Sequence, residues 1–306
     1  MPTRASAAAP RRVRLLIATR KGLWTLTSDA TRRSWKLSQP TFLGHIVHHV
    51  RVDPRDGKTM LAAARTGHLG PTVFRSQDNG RTWKEAATPP AFAPDSGRVV
   101  DHTFWLTPGH ASQPGVWYGG TSPQGLFRSA DGGATWEAVS GIGEIDYHDI
   151  EVDGDMVVAL RTDDPNSVQL SKDGGKTFEG RAAPAAAAAL DIAVNPDNPK
   201  QWAVGTESGT FISADEGGSW RQRDTTSSAK LAWAGPGKLY SAGLDGKIRL
   251  STDDGKSWNE VGGTIGAGPK DFVAAPGGKL YAYLTGGKVS TSADGGKTWS
   301  ELTALR

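Results

Sequence analysis

The sequence has 306 residues, with 39 glycines, 18 prolines, 11 tryptophans and no cysteine. The lack of cysteine excludes disulfide bonds and thiolate metal ligands. The formal net charge of +3 is small for this length, and no dense Lys/Arg run with interleaved aromatic residues occurs, so we expect no nucleic-acid partner. The many glycines and prolines favour short strands and tight turns over long helices.

The first segment, MPTRASAAAPRRVRLLIATRKG, is basic and contains one short apolar run, LLIA. This run is far too short for the hydrophobic part of a signal peptide or for a membrane-spanning helix. We therefore predict a disordered leader over residues 1–12 and a single domain over residues 13–306. We also expect a cytoplasmic monomer without a membrane partner.

An eight-residue pattern recurs along the rest of the chain. A degenerate copy, SDATRRSW, stands at 28–35 and lacks the glycine of the others. The full pattern, S-x-D-x-G-x-[ST]-[WF], occurs six times: SQDNGRTW (76–83), SADGGATW (129–136), SKDGGKTF (171–178), SADEGGSW (213–220), STDDGKSW (251–258) and SADGGKTW (292–299). Successive final aromatic residues are 48, 53, 42, 42, 38 and 41 positions apart, a period typical of propeller blades.

The pattern resembles the Asp-box (BNR) repeat of sialidase-like β-propellers in the WD40/YVTN/BNR-like superfamily, and the resemblance covers nearly the whole chain. It implies an all-β fold, a seven-bladed β-propeller with Asp-box hairpins. In each box we expect the Asp carboxylate to accept hydrogen bonds from backbone N–H groups of the turn. We expect Gly to supply a positive φ, and the aromatic residue to pack between neighbouring sheets.

Four strands recur around each full box. The predicted blades span approximately 13–40, 42–86, 99–139, 145–181, 187–223, 228–261 and 268–302. The first blade is incomplete, because only three strands can be recognised there and the usual inner strand has no counterpart.

The inner strands can be aligned on a terminal Pro or Gly. They read HHVRVDP (48–54), HTFWLTP (102–108), HDIEVDG (148–154), LDIAVNP (190–196), KLAWAGP (230–236) and KDFVAAP (270–276). We number positions one to seven along this alignment. Position one is histidine in three consecutive blades and lysine in the last two: His48, His102, His148, Lys230 and Lys270.

In a propeller, the start of the inner strand shares one face with the loops between second and third strands, and ligand sites usually lie on that face at the mouth of the axial channel. The predicted substrate-binding residues there are Arg65, His68, Arg161, Lys230 and Lys270. The loops just before the inner strands add the candidate catalytic residues Asp101, Asp146 and Tyr147.

Three position-one histidines suggest a metal site. His48, His102 and His148 would supply three imidazoles and leave an open position, a ligand set that suits Zn²⁺ and is tolerated by Mn²⁺, Fe²⁺ or Cu²⁺. Asp101, Asp146 and Asp149 could orient the rings from behind. Two alternatives stay open: a histidine-lined pocket without metal, and histidines that only pack between blades. We predict that His49 and His110 are structural or solvated.

The resemblance to sialidases does not carry their activity to this chain. The Phe/Tyr-Arg-Ile-Pro motif expected near the start is absent, and the segment reads ATRKGLW (18–24). The concentration of ionisable groups in blades 2 to 4 favours an enzyme, a hydrolase or lyase acting on a small polar, carbohydrate-like or anionic substrate, with one divalent metal as a candidate cofactor. The alternative is a non-catalytic scaffold that binds a ligand or another protein.

Overall fold

A computed structural model of the protein describes residues 12–67, 70–139, 147–161, 167–182, 184, 188–266, 268–275 and 278–304. For residues 147, 148, 167, 303 and 304 only the backbone is described. The predicted leader (1–12) therefore lies outside the described residues except for Arg12.

The described residues form seven antiparallel sheets that follow one another along the chain, one with three strands and six with four. The prediction of an all-β, seven-bladed propeller is confirmed. The helical structure described is a single 3-10 turn over Pro94–Ser96, and no helix in this part of the chain is long and apolar enough to cross a membrane.

The strands of the first four blades are as follows. Blade 1 contains β1 (Arg14–Thr19), β2 (Gly22–Ser28) and β3 (Trp35–Leu37). Blade 2 contains β4 (Ile46–Val52), β5 (Met60–Thr66), β6 (Gly70–Ser76) and β7 (Lys84–Glu85). Blade 3 contains β8 (His102–Pro108), β9 (Trp117–Ser122), β10 (Gly125–Ser129) and β11 (Glu137–Ala138). Blade 4 contains β12 (Tyr147–Asp153), β13 (Met156–Arg161), β14 (Ser167–Ser171) and β15 (Glu179–Ala182).

The last three blades are complete. Blade 5 contains β16 (Ala189–Val194), β17 (Trp202–Thr206), β18 (Gly209–Ser213) and β19 (Arg221–Asp224). Blade 6 contains β20 (Lys230–Trp233), β21 (Leu239–Ala242), β22 (Lys247–Ser251) and β23 (Asn259–Thr264). Blade 7 contains β24 (Pro269–Ala275), β25 (Lys279–Leu284), β26 (Lys288–Ser292) and β27 (Ser300–Ala304).

The Asp boxes form the turns expected of them, and the box of blade 3 is representative. The Asp131 carboxylate accepts hydrogen bonds from the backbone N–H groups of Ala134 and Thr135, both at 2.9 Å, and from the Thr135 hydroxyl at 2.7 Å. Gly133 has a φ of 83°, and the Trp136 indole N–H donates to its carbonyl at 3.2 Å. In every full box the turn joins the third strand of a blade to the fourth.

Blade 1 lacks its innermost strand among the described residues. Its degenerate box, at 28–35, joins β2 to β3, so these two strands correspond to the third and fourth strands of the other blades. β1 therefore corresponds to a second strand, and it forms the inner edge of its sheet.

The ring is held together by seven hydrophobic clusters, one at each interface between adjacent blades. The cluster between blades 2 and 3, for example, contains Leu61, Val73, Trp117 and Phe127, all fully buried. The interface between blades 7 and 1 is closed in the same way, since Val289 of β26 packs with Ile17 and Leu26. The ring is therefore closed by side-chain packing at this junction.

The inner strands of blades 2, 3 and 4 differ in backbone pairing, which the sequence alignment does not reveal. In blade 2 the register shifts between Val47 and His49, so His48 is the bulged residue. His148 is bulged in the same way, but in blade 3 the shift lies between Thr103 and Trp105, two residues after His102. A bulge redirects the side chain that it carries. The expectation that the three histidines occupy equivalent positions is therefore wrong at the level of backbone register.

Candidate functional site

Three ionisable side chains from blades 2 and 3 are joined at the channel mouth. Asp101, in the loop just before β8, accepts a hydrogen bond from the Arg65 guanidinium at 2.5 Å and lies 2.8 Å from Nδ1 of His102. The backbone N–H of Asp101 donates to the Ser122 carbonyl at 2.6 Å, which fixes the loop against β9. Arg65 is positioned by pairing with Ile46 across β4 and β5. The sequence prediction correctly assigned Arg65, Asp101 and His102 to a common face, and their side chains are in direct contact.

Asp101 is the anionic centre of this group. Its hydrogen bond to His102 is the main reason why its pKa lies below the ordinary value, and the charge of Arg65 adds to the effect. An ionised carboxylate can only accept hydrogen bonds, so the proton on Nδ1 of His102 is donated to Asp101. About a quarter of the His102 side chain (26%) is exposed.

His48 completes the group from the bulge in β4. Its ring stacks on that of His102, with centroids 4.3 Å apart and planes 20° apart. Burial, followed by the neighbouring His102, lowers the pKa of His48 to about 4. Its Nε2 is buried and has no hydrogen-bond partner among the described residues, an arrangement that costs free energy unless something else satisfies it.

A second ionic group lies deeper, on the inner strands of blades 4 to 6. The Lys230 ammonium is 2.6 Å from Oδ1 of Asp191, whose Oδ2 accepts the backbone N–H of Leu231 at 2.8 Å. Burial alone would lower the pKa of Lys230, but the charges of Asp191 and Asp149 outweigh it and the pKa is raised. Burial also raises the pKa of Asp149 well above its ordinary value. Lys230, predicted to bind substrate, thus has its charge balanced within the protein.

A cavity of about 310 Å³ opens along the channel between blade 1 and its neighbours. Its walls include His48, Trp105, Lys230, Lys270 and residues of β1. Lys270 is exposed, unlike its counterpart Lys230, although both occupy position one of an inner strand.

Several predicted site residues cannot be compared with the structure. His68 and Asp146 lie outside the described residues, and for Tyr147 and His148 the backbone alone is described, in β12. Arg161 pairs with Tyr147 across β12 and β13, and it makes a further interaction. Within the described ranges no group of three or more His, Asp or Glu side chains is arranged to hold a metal ion. Because the side chain of His148 is not among them, the metal site stays a prediction.

Two further histidines, His49 and His110, contact neighbouring protein groups. His49 accepts a hydrogen bond from the Leu106 backbone N–H at 3.2 Å and packs on Trp105, while His110 lies 2.8 Å from the Ser112 hydroxyl. Asp149 accepts from the backbone N–H of Ile150 at 2.8 Å, and the expectation that it orients a histidine ring stays a prediction, because the His148 side chain is not described. The structural role of Asp191 was missed, although the alignment signals it, since position two is Asp in three of six inner strands.

Comparisons with known proteins agree with the propeller fold. A family model described as the DUF6242 beta propeller domain matches residues 204–306. A xyloglucanase from a Paenibacillus species is 28% identical over 180 residues, which is 49% of this chain and 17% of that enzyme. The chain therefore spans about a sixth of the length of the curated relative it matches.

Solved structures extend the comparison to nearly the whole chain. YCF48 from Cyanidioschyzon merolae superposes with a TM-score of 0.60 at 12% identity, covering 86% of each chain. An ancestral GH74 enzyme gives a TM-score of 0.64 at 16% identity, covering 84% of this chain and 38% of that one. A putative 6-phosphogluconolactonase from Bacteroides fragilis gives 0.66 at 12% identity, covering 97% and 96%. At these identities the likeness shows the fold, a β-propeller, and function must be argued from the site.

Proposed function

We propose that the channel mouth binds a small polar ligand, saccharide-like or anionic, and that His102 acts there as the acid–base group of a hydrolase or lyase reaction. The observation that carries this proposal is the Asp101 carboxylate, which contacts both the Arg65 guanidinium and Nδ1 of His102. A carboxylate behind a histidine holds the ring in one orientation and one tautomer and stabilises the protonated ring when it forms.

Asp101 itself is unsuited to donate a proton. A general acid needs a raised pKa, whereas hydrogen bonding to His102 lowers the pKa of Asp101. We therefore assign Asp101 the role of positioning His102, which is the orienting role considered from the sequence, and not that of a catalytic acid. Asp146 and Tyr147 remain candidates for a second catalytic group beside His102.

The class of ligand is supported by charge and by similarity. The exposed Lys270 lines the cavity, Arg65 contacts Asp101 beside His102, and both cations favour an anionic or strongly polar ligand. The 28% identity to a xyloglucanase over about half of the chain supports a saccharide.

A divalent metal is proposed as an alternative, in which Nε2 of His102 would be a metal ligand and not the acid–base group. The buried Nε2 of His48 without a partner among the described residues is the observation that fits it, and His102 and His148 would be the further ligands. The measurement is elemental analysis of the untagged protein beside a His48→Ala/His102→Ala/His148→Ala variant. Near-stoichiometric Zn, Mn, Fe or Cu in the wild type, lost in a folded variant, is the expected result. Absence of metal after incubation with these ions would remove the metal from the proposal.

Turnover tests the catalytic proposal. Reducing ends released from xyloglucan or aryl glycosides would report hydrolysis, and absorbance of unsaturated products from polygalacturonate would report a lyase. We expect His102→Gln to lower kcat by about 10² to 10⁴, and Asp101→Asn to lower kcat because the ring loses its orienting carboxylate. His110→Gln, whose ring contacts Ser112 instead, is the matched control and should be unaffected.

The same variants separate the two classes of function. Binding of xyloglucan oligosaccharides, measured by titration calorimetry, without turnover on any of these substrates would make the protein a binding module. Turnover that survives His102→Gln would exclude His102 as the acid–base group.

A further inference from the structure

The inner strands of blades 2 to 4 carry a second set of functional side chains, further down the channel than the mouth. At position four of the alignment, blade 2 has Arg51, blade 3 has Trp105 and blade 4 has Glu151. A strand rises by about 3.3 Å per residue, so position four lies about 10 Å from position one, where His102 stands. These three side chains and the proposed acid–base group therefore occupy different depths of one channel.

The charged side chains at position four project towards the axis. Side chains alternate between the two sides of a strand, and Ile150, at position three of blade 4, is buried in the cluster shared with blade 3. Its neighbour Glu151 therefore lies on the other side of the strand. The charge of Arg51 acts on the pKa of Glu151, although blade 3 stands between their blades. The two side chains thus approach one another across the channel.

Trp105 connects the surroundings of the two charged residues. Its ring packs on that of His49 in blade 2, with centroids 4.4 Å apart, and its indole N–H donates to the Ile150 carbonyl in blade 4 at 3.2 Å. His49 precedes Arg51 by two residues, and Ile150 is next to Glu151. A guanidinium, an indole and a carboxyl group therefore follow one another around the channel, and the indole is held from both sides.

Arg51 and Glu151 differ from the other charged groups of the interior in having no ionic partner. Asp53, Asp191 and Asp224 each lie within 2.7 Å of a cationic nitrogen. In the part of the chain that the structure describes, no hydrogen bond or ion pair is made by the guanidinium of Arg51 or the carboxyl group of Glu151. Polar groups held in a recess without partners cost free energy, and they are typical of binding sites.

The chemistry of these three groups defines a ligand. A guanidinium binds a carboxylate through two parallel hydrogen bonds. Burial raises the pKa of Glu151 from 4.5 to about 7, so part of this group is neutral at neutral pH. A neutral carboxyl group is a poor partner for an ammonium ion, but it both donates to and accepts from hydroxyl groups. The indole adds an apolar surface, which suits the C–H face of a sugar ring.

We propose that Arg51, Trp105 and Glu151 form a subsite for a sugar acid. Arg51 binds the carboxylate of the sugar, Glu151 binds its hydroxyl groups, and Trp105 packs on its C–H face. The subsite gives the proposed function a substrate class, and it rests on that function for the choice of a saccharide. Its own residues are separate from His102, which acts at the channel mouth.

Titration calorimetry with sodium galacturonate, and with galactose as the uncharged counterpart, tests the subsite. Galacturonate should bind about tenfold more tightly or better, because it alone offers a carboxylate to Arg51. Arg51→Met should weaken galacturonate by about tenfold and leave galactose within about twofold. Arg223→Met is the matched control and should change neither affinity, because Arg223 is exposed on the outer strand of blade 5. No binding of galacturonate to the wild type, or acetate bound as tightly, would overturn the proposal.

Two substitutions of Glu151 test its role. Glu151→Gln keeps a donor and an acceptor for hydroxyl groups, so both sugars should bind within about twofold of the wild type. Glu151→Leu removes these contacts and should weaken both sugars by about fivefold or more. A folded Glu151→Leu protein that binds both sugars as the wild type does would exclude Glu151 from the subsite.

Chemical modification of the wild type gives a test that needs no substitution. Phenylglyoxal reacts with accessible guanidinium groups, and Arg51 is exposed. Saturating galacturonate should slow the modification of Arg51, followed by mass spectrometry of its peptide, and should not slow that of Arg223. An unchanged rate at Arg51 would contradict the proposal.

The subsite and the proposed activity can fail separately, because binding is measured without turnover. Galacturonate binding that depends on Arg51, in a protein without His102-dependent turnover, would keep the subsite and remove the activity. Turnover that is lost in His102→Gln, together with galacturonate binding that is insensitive to Arg51→Met, would keep the activity and remove the subsite.

Discussion

Replacement of Lys230 by methionine should destabilise the protein strongly. The substitution keeps most of the side-chain volume but removes the cation that lies 2.6 Å from Oδ1 of Asp191. Asp191 is 5% exposed, so the variant would bury the Asp191 carboxylate without its cation. Removal of one partner of a buried ion pair typically costs about 3 to 5 kcal/mol.

The stability that the Lys230→Met variant can lose also has an upper limit, and this limit depends on pH. A carboxylate left without its partner can escape the penalty by taking up a proton, and its ordinary pKa is 3.8. At about 1.36 kcal/mol per pH unit, protonation of one carboxylate costs about 4.4 kcal/mol at pH 7 and about 1.6 kcal/mol at pH 5. In the variant, the native state binds a proton that the unfolded state has released, so its stability falls as pH rises. We therefore expect a loss of about 3 to 4 kcal/mol at pH 7 that shrinks below about 2 kcal/mol at pH 5.

Urea denaturation followed by tryptophan fluorescence at both pH values measures these losses. Lys270→Met is the matched control, because Lys270 occupies the same inner-strand position but is exposed, and its loss should stay within about 0.5 kcal/mol. Lys230→Met with Asp191→Asn should recover part of the stability, since the double variant leaves fewer unpaired charges. A loss for Lys230→Met no larger than for Lys270→Met would refute a structural role for the pair.

Three further predictions concern the turns and strands of the blades. Asp131→Ala removes the acceptor for Ala134 and Thr135 and should lower the unfolding free energy by about 1 to 2 kcal/mol in urea, while no change would show that the box is dispensable. In four boxes, hydrogen bonds within the box lower the pKa of the aspartate from 3.8 to about 2. The stability of the protein should therefore fall as the pH drops from about 4 towards 2. An acid titration followed by circular dichroism that shows no change over this range would contradict the prediction. Gly209→Ala should lower the unfolding free energy by about 3 kcal/mol or more, because φ is 140° and a Cβ would collide with the Asp224 carbonyl. Gly154→Ala, where φ is 63° and nothing lies within 4 Å of the added Cβ, should lower it by about 1 kcal/mol. Equal losses for the two variants in thermal melts would refute the steric argument.

The fold could be predicted because its signals are local and repeated. Each Asp box specifies a turn through residues within eight positions of one another, so the number and order of blades follow from counting boxes. The missing inner strand of blade 1 was visible for the same reason. How the ring closes could not be predicted. Val289 packs with Ile17 and Leu26, which lie almost the whole length of the chain away in sequence, and no short-range pattern indicates such a contact.

The candidate site was predicted only in part. Position within the inner strand correctly brought Arg65, Asp101 and His102 to one face, since strand direction alone decides this. It could not show that His48 is bulged while the bulge of blade 3 falls at a different residue, because a bulge depends on pairing with the neighbouring strand. The alignment does distinguish Lys230 from Lys270, because position two of the preceding blade is Asp191 for the first and Leu231 for the second. Only the structure shows that the Lys230 ammonium reaches the Asp191 carboxylate.

This difference between the two lysines bears on how a ligand would be held. Burial raises the pKa of Asp149 and so favours its neutral form, and Asp191 balances the charge of Lys230. Lys230, Asp191 and Asp149 together therefore carry little net charge. Arg65 shares its charge with Asp101, which leaves the exposed Lys270 as the position-one cation whose charge is not balanced in this way. If the proposed ligand is anionic, we expect its charged group to bind nearer to Lys270 than to Lys230, because the charge of Lys230 is already balanced.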